Sequence, residues 1–153
     1  MKNYNVLLRI SSVLWIIWGV FHLFVGVFLL YLLLNGQTAE ALNGIAGKVT
    51  LESLQMDYPL TVIATLKQHA FNLGWFGLVT TIAGIYIWKK NTIAIWLAAL
   101  IGGLGDFGYF VFIDLADLAI PPGPQMTWIS GLAIILSFYV YFRTDKLSDM
   151  SYS

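Results

Sequence analysis

Residues 10–35 read ISSVLWIIWGVFHLFVGVFLLYLLLN, a run that follows Arg9 and carries no formal charge. A helix crosses a bilayer in about 20 residues, so this stretch is long enough on its own. Lys2 and Arg9 are compatible with the basic leader of a secretory signal, and Ala39-Glu40-Ala41 with a small-residue cleavage site. The apolar part of such a signal is limited to about 15 residues, which this run far exceeds. It is therefore read as a retained membrane helix, and that reading sets the fold.

Three further stretches follow the same logic. QHAFNLGWFGLVTTIAGIYIW lies between Lys67 and Lys89, the third runs from Thr92 and is broken by Asp106, and the fourth is the shortest. Pro121, Pro122 and Pro124 keep the third and fourth from joining as one helix. The expected spans are about 10–34, 67–88, 92–116 and 125–142, with an outer loop at about 35–58. Together they form a single domain, 1–153, that is all-α: an integral membrane four-helix bundle, antiparallel and up-down. Within the loop, Ala39–Leu42 and Leu51–Leu54 are expected as short interfacial helices. Pro59 suits a first helical turn, so the second helix is expected to begin there, outside the bilayer.

Composition agrees. Of 153 residues, 59% are hydrophobic and only 10% charged, against roughly a quarter charged in an ordinary soluble domain. Eight basic and eight acidic residues cannot cover a soluble globule of this size. A soluble enzyme, a disordered chain and a basic nucleic-acid binder are excluded on these grounds. Without cysteine there is no disulfide, thiolate metal site or thiol nucleophile.

The zero net charge hides a segregation. Lys2, Arg9, Lys89, Lys90, Arg143 and Lys146 fall on the side shared by the termini and the short link at residues 89–91, whereas Lys48 and Lys67 lie opposite. Basic residues near span ends stay in the cytoplasm, so both termini are expected there, in a cell inner (cytoplasmic) membrane. Tyr86, Trp88, Tyr139 and Tyr141 suit an interfacial aromatic belt. The tail from Thr144 to Ser153 is polar, reads as loose and carries no address signal.

Ionisable groups are costly in hydrocarbon and point to function. At 1.5 Å per residue, His22 lies roughly 20 Å from the Arg9 level and Asp106 roughly 24 Å from the Lys90 level, near mid-bilayer. His69 stands higher, at roughly 30 Å, and Asp114 and Asp117 read as solvated caps at the outer surface. Trp15, Gly19, His22 and Gly26 make one helical stripe, and His69, Asn72, Phe76 and Thr80 another. Asp106, Phe110, Ile113 and Asp117 share a third face, and Ser130, Ser137 and Tyr141 a fourth. These faces are expected to line a shared interior opening outward. A His22–Asp106 contact would let the two hold or relay one proton; the alternative is an Asp106 capped by a neighbouring hydroxyl that only locks helices together. The GGLGDFG run at 102–108 lies inside a span without a preceding strand, so it is read as close packing or local flexibility, not a phosphate loop.

The candidate ligand- or proton-binding residues are thus His22, His69, Asn72, Asp106, Trp15 and Tyr109, with no catalytic residue assigned. Bis-histidine haem would need His22 and His69 at one depth, but they differ by roughly 10 Å. Neither a metal nor another cofactor is expected. The leading expectation is a protein that binds or moves a small lipophilic ligand, with membrane lipid as its surroundings, no nucleic-acid partner, and a homodimer as the means to complete a pathway. An intramembrane acid–base enzyme for a lipid-like substrate and an accessory subunit without a ligand are the alternatives.

Overall fold

A computed structural model describes residues 2–149, with side chains placed over 4–143. Among the described residues all regular structure is helical. Helix α1 spans Lys2–Leu34, α2 Thr38–Ile45, α3 Leu60–Trp88, α4 Thr92–Ala98, α5 Leu104–Tyr109 and α6 Gly123–Asp149. A 3₁₀ turn at Glu52–Leu54 and α2 occupy the loop segments expected to be helical. Four helical stretches are long and apolar enough to cross a membrane: Tyr4–Leu34, Leu60–Trp88, Thr92–Asp114 and Gly123–Arg143.

The boundaries depart from expectation in two places, the start of α1 and the tail. Helix α1 begins well before residue 10, because Asn3 to Arg9 offer no proline or glycine to stop it. Helix α3 begins at Leu60 with Pro59 as its N-cap, where the sequence placed its start, seven residues ahead of Lys67. The tail does not loosen at Thr144, since α6 continues to Asp149; residues 150–153 of that tail lie outside the described residues.

Each chain reversal has a local cause. After α1, Gly36 takes φ 77° and the Gln37 N–H reaches back to the Leu32 carbonyl at 2.9 Å, closing the helix end in Schellman fashion. After α3, Lys90 adopts φ 64°, while Lys90 N bonds Ile87 O at 2.8 Å and Asn91 N bonds Tyr86 O at 3.0 Å. Asn91 then caps the next helix by accepting the Ala94 N–H. Three residues thus end one helix and start another.

The principal packing is of α1 along α3, with α6 against another side of α1. Glycine makes the first contact possible. A Cβ on Gly26 would fall 2.6 Å from the Gly74 Cα, and one on Gly77 would fall 2.9 Å from the His22 carbonyl carbon. Backbone therefore lies on backbone, as small residues allow between membrane helices. Nearer the first turns of α1, Ser12 Oγ donates to the Gly84 carbonyl at 2.6 Å and Ser11 Oγ to the Ala133 carbonyl at 2.9 Å. One apolar cluster joins α1, α3, α4 and α6 through Leu8, Trp15, Trp18, Ile87, Ile95, Ala133 and Val140. A second gathers Leu29, Leu32, Leu33, Ala41 and Ala70, where α2 folds back on α1 and α3.

The third span is not a uniform α-helix. Ala99–Gly103 and Phe110–Asp114 are π-helical and flank α5. The extra residue in each wide turn shifts the side chains beyond it, so the face expected from Asp106 to Asp117 is not continuous. Asp117 leaves the helix altogether, with φ 58°, and pairs with Lys48. Lys48 N also bonds the Leu118 carbonyl at 3.1 Å, and Ile120 packs over Gly47. The loop between α1 and α3 is thereby tied to the link between the third and fourth spans.

If backbone contact between α1 and α3 holds the bundle, Gly77→Ala should cost about 1–3 kcal/mol. Gly108→Ala, whose added Cβ meets nothing within 4 Å, should leave stability unchanged or raised. Thermal unfolding of both variants in one detergent checks this; equal melting temperatures would refute it.

Candidate functional site

Asp106 is buried in α5, and its partner comes from α6. Ser130 Oγ donates to Asp106 Oδ2, while lying 3.0 Å from the Thr127 carbonyl one turn back. Of the two readings left open by the sequence, the hydroxyl cap is the one found. Further along the third span, Thr127 Oγ1 of α6 donates to Asp114 Oδ2 at 3.3 Å. Asp114 is therefore half-buried and bonded rather than a freely solvated cap.

His22 is not bonded to Asp106. Its Nδ1 donates to the Trp18 carbonyl at 2.8 Å, which in the neutral ring leaves Nε2 as an acceptor. The imidazole stacks on the Trp18 indole with centroids 3.7 Å apart and planes at 19°. Trp15 stands edge-on to Trp18 at 6.2 Å. Trp15, Trp18 and His22 thus form an aromatic ladder along α1. The Trp18 indole faces the Asp106 carboxylate but its N–H completes no hydrogen bond. Histidine and aspartate each approach the Trp18 side chain instead of bonding each other.

Thr80 of α3 closes the cluster. A Cβ on Gly102 would lie 3.1 Å from Thr80 Oγ1 and 2.8 Å from Trp15 Cζ3, so the π-helical turn packs tightly onto both. Thr80 Oγ1, Trp15 Nε1 and Trp18 Nε1 are all buried without a hydrogen-bond partner. An unmade hydrogen bond of this kind costs about 1–3 kcal/mol, and native structures hold few of them.

The other candidates lie elsewhere. His69 is exposed, and Asn72 accepts the Trp75 indole N–H at 3.1 Å on its own helix. Tyr109 is half-buried with its hydroxyl against Gly123. Two cavities are a polar hollow of about 360 Å³ between Gly36–Glu40 and Gln55–Tyr58, and an apolar groove of about 220 Å³ between α1 and α3; neither is lined by His22, His69, Asn72, Asp106, Trp15 or Tyr109. Asp106 itself is buried, with its carboxyl on Ser130 of α6. Among the described residues no three His, Asp or Glu side chains gather as a metal-holding group.

Trp18 is the residue that reading by charge overlooks, since its role rests on an indole N–H. Its signal was available in the spacing of 15, 18 and 22, which places three rings on one helical face. Comparison with protein-family models, with curated proteins and with solved structures found no match to this chain.

Ser130→Ala should lower stability by about 2 kcal/mol, since a buried carboxyl loses its donor. Adding Asp106→Leu should restore most of that loss, because two apolar groups need no pairing. Detergent melting curves of the single and double variants decide it; a silent Ser130→Ala would contradict the pairing.

Proposed function

We propose that this chain is a multi-pass protein of the cytoplasmic membrane that binds, and moves between sites, a small lipophilic ligand carrying a hydrogen-bond acceptor. The observation that carries this reading is a pair of buried, unpartnered groups (Trp15 Nε1 and Thr80 Oγ1) beside the Asp106–Ser130 pair, with the Trp18 indole N–H turned toward the same carboxyl. All three can donate, and in hydrocarbon there is no water to satisfy them. A carbonyl or ether oxygen on an apolar body would meet two needs together: acceptors for the indoles and hydroxyl, and an apolar fit among aromatic rings. Asp106 supplies the one acid inside the apolar part of the cluster, and a proton held there would link ligand movement to charge. The π-helical turns on either side of α5 give the third span a way to part from α1 and admit the ligand.

The bundle is antiparallel and up-down with both termini cytoplasmic. Supporting this, residues of α1 that rise in number meet residues of α3 that fall: Ser12 with Gly84, Gly19 with Gly77, Gly26 with Gly74. The basic residues at one end of the four spans supply the orientation. A second reading, an accessory subunit without a ligand, is favoured by one fact: Asp106 and Asp114 both bond hydroxyls of α6.

Two experiments test the proposal. Thr80→Val removes an unpartnered hydroxyl at nearly constant volume and should keep or raise the stability of the ligand-free protein, whereas Trp18→Phe leaves a cavity and should lower it; each should lower retention of a co-purifying small molecule about tenfold, measured by native mass spectrometry and extraction. Retention unchanged in both variants would favour the accessory reading. Because the chain has no cysteine, single cysteines at Ser53 and Asn91 report orientation directly. An impermeant thiol reagent should label the first from outside intact cells and the second only after lysis; the reverse pattern would invert the topology.

A further inference from the structure

We infer that the groove between α1 and α3 holds one acyl chain of an anionic phospholipid, with Lys67 meeting the lipid phosphate. The groove is lined by Gly26, Val27 and Leu30 of α1 and by Phe71, Gly74 and Leu78 of α3. The two glycines let the helices touch at its floor, and the larger side chains on either flank stand up as walls. Val27, Phe71 and Leu78 are each about half exposed or more, so the groove opens on the outer surface of the bundle. On the membrane placement proposed above that surface faces lipid; the inference rests on that placement and not on the Asp106 cluster.

Depth and charge select the kind of lipid. Lys67, Phe71, Gly74 and Leu78 follow one another at helical spacing on a single face of α3. Lys67 stands 22 residues before Lys89, about 33 Å along the helix axis, which matches the thickness of a hydrocarbon core of about 30 Å. The two lysines therefore mark opposite headgroup levels, and the groove from Phe71 to Leu78 runs about 6–17 Å beneath Lys67, among acyl chains. Tyr31, exposed on α1, lies the same 22 residues beyond Arg9 and brings a phenol to the Lys67 level. Lys48, the other base of that side, is paired with Asp117. Lys67 has no carboxylate partner among the described residues. One uncompensated ammonium above a groove of acyl-chain width favours a lipid of net negative charge over a zwitterionic one.

The test titrates purified protein in mild detergent with phosphatidylglycerol and phosphatidylcholine of identical acyl chains, and counts bound lipid by native mass spectrometry. The wild type should retain phosphatidylglycerol preferentially, and Lys67→Gln should reduce that preference about fivefold. Leu78→Trp, which fills the groove from an exposed position, should lower retention of both lipids. Lys48→Gln should leave the preference in place. Equal retention of the two lipids by the wild type, a preference that survives Lys67→Gln, unchanged retention in Leu78→Trp, or a loss in Lys48→Gln as large as in Lys67→Gln would each overturn the inference. Fractionation of the same cells tests membrane placement separately.

Discussion

The backbone contact between α1 and α3 is the constraint from which the rest of the structure follows. Apolar burial does not distinguish one helix arrangement from another when the surroundings are themselves apolar, so close packing must do so. Gly19, Gly26, Gly74 and Gly77 remove the side chains that would hold the two helices apart. That approach sets how α1 is turned about its axis, and the turn in turn aims Trp15 and Trp18 away from α3's glycines and toward the third span and α6. The aim of the ladder toward Asp106 is thus set by glycines on the other side of α1.

The polar residues inside the bundle divide into two groups with different physical meanings. Ser11, Ser12, Ser130 and Thr127 bond across helices, to carbonyls or carboxylates. Each of these contacts satisfies a group that hydrocarbon would leave bare, and each fixes one helix against another. Trp15, Trp18 and Thr80 do not, although they are equally buried. A fold that satisfies the first group so consistently makes the second group conspicuous, and the contrast is what directs attention to α1 rather than to the two histidines.

Helix identity was legible in the sequence because length and charge placement act through rules that need no partner. An uncharged run after Arg9 and three prolines at 121–124 mark span limits whatever the helices touch. The short helices between α1 and α3 were legible for the same local reason. The site was legible only in part. Asp106 stands out by its charge, but whether it meets His22 or Ser130 depends on helix rotation to within a fraction of a turn. Straight-helix depth brought His22 and Asp106 to one layer, and there they nearly share Trp18; it could not foresee the π-helical turns, which alter the facing of everything beyond Gly103. His69 and Asn72 were placed by their polarity, yet α3 turns its glycines inward and leaves His69 outside.

The third span is anchored at both ends and widely wound between them. At one end the reversal at Lys89–Asn91 locks its first turn, and at the other Lys48 and Gly47 hold the segment just past Asp114. The intervening α5 sits between two wide turns, each carrying one residue more than an α-helix would. A wide turn changes the facing of the residues beyond it by a fraction of a helical turn. Asp106 rides on the stretch between the two, so the width of those turns, and not the spacing of residues along an ideal helix, decides that its carboxyl meets Ser130 of α6.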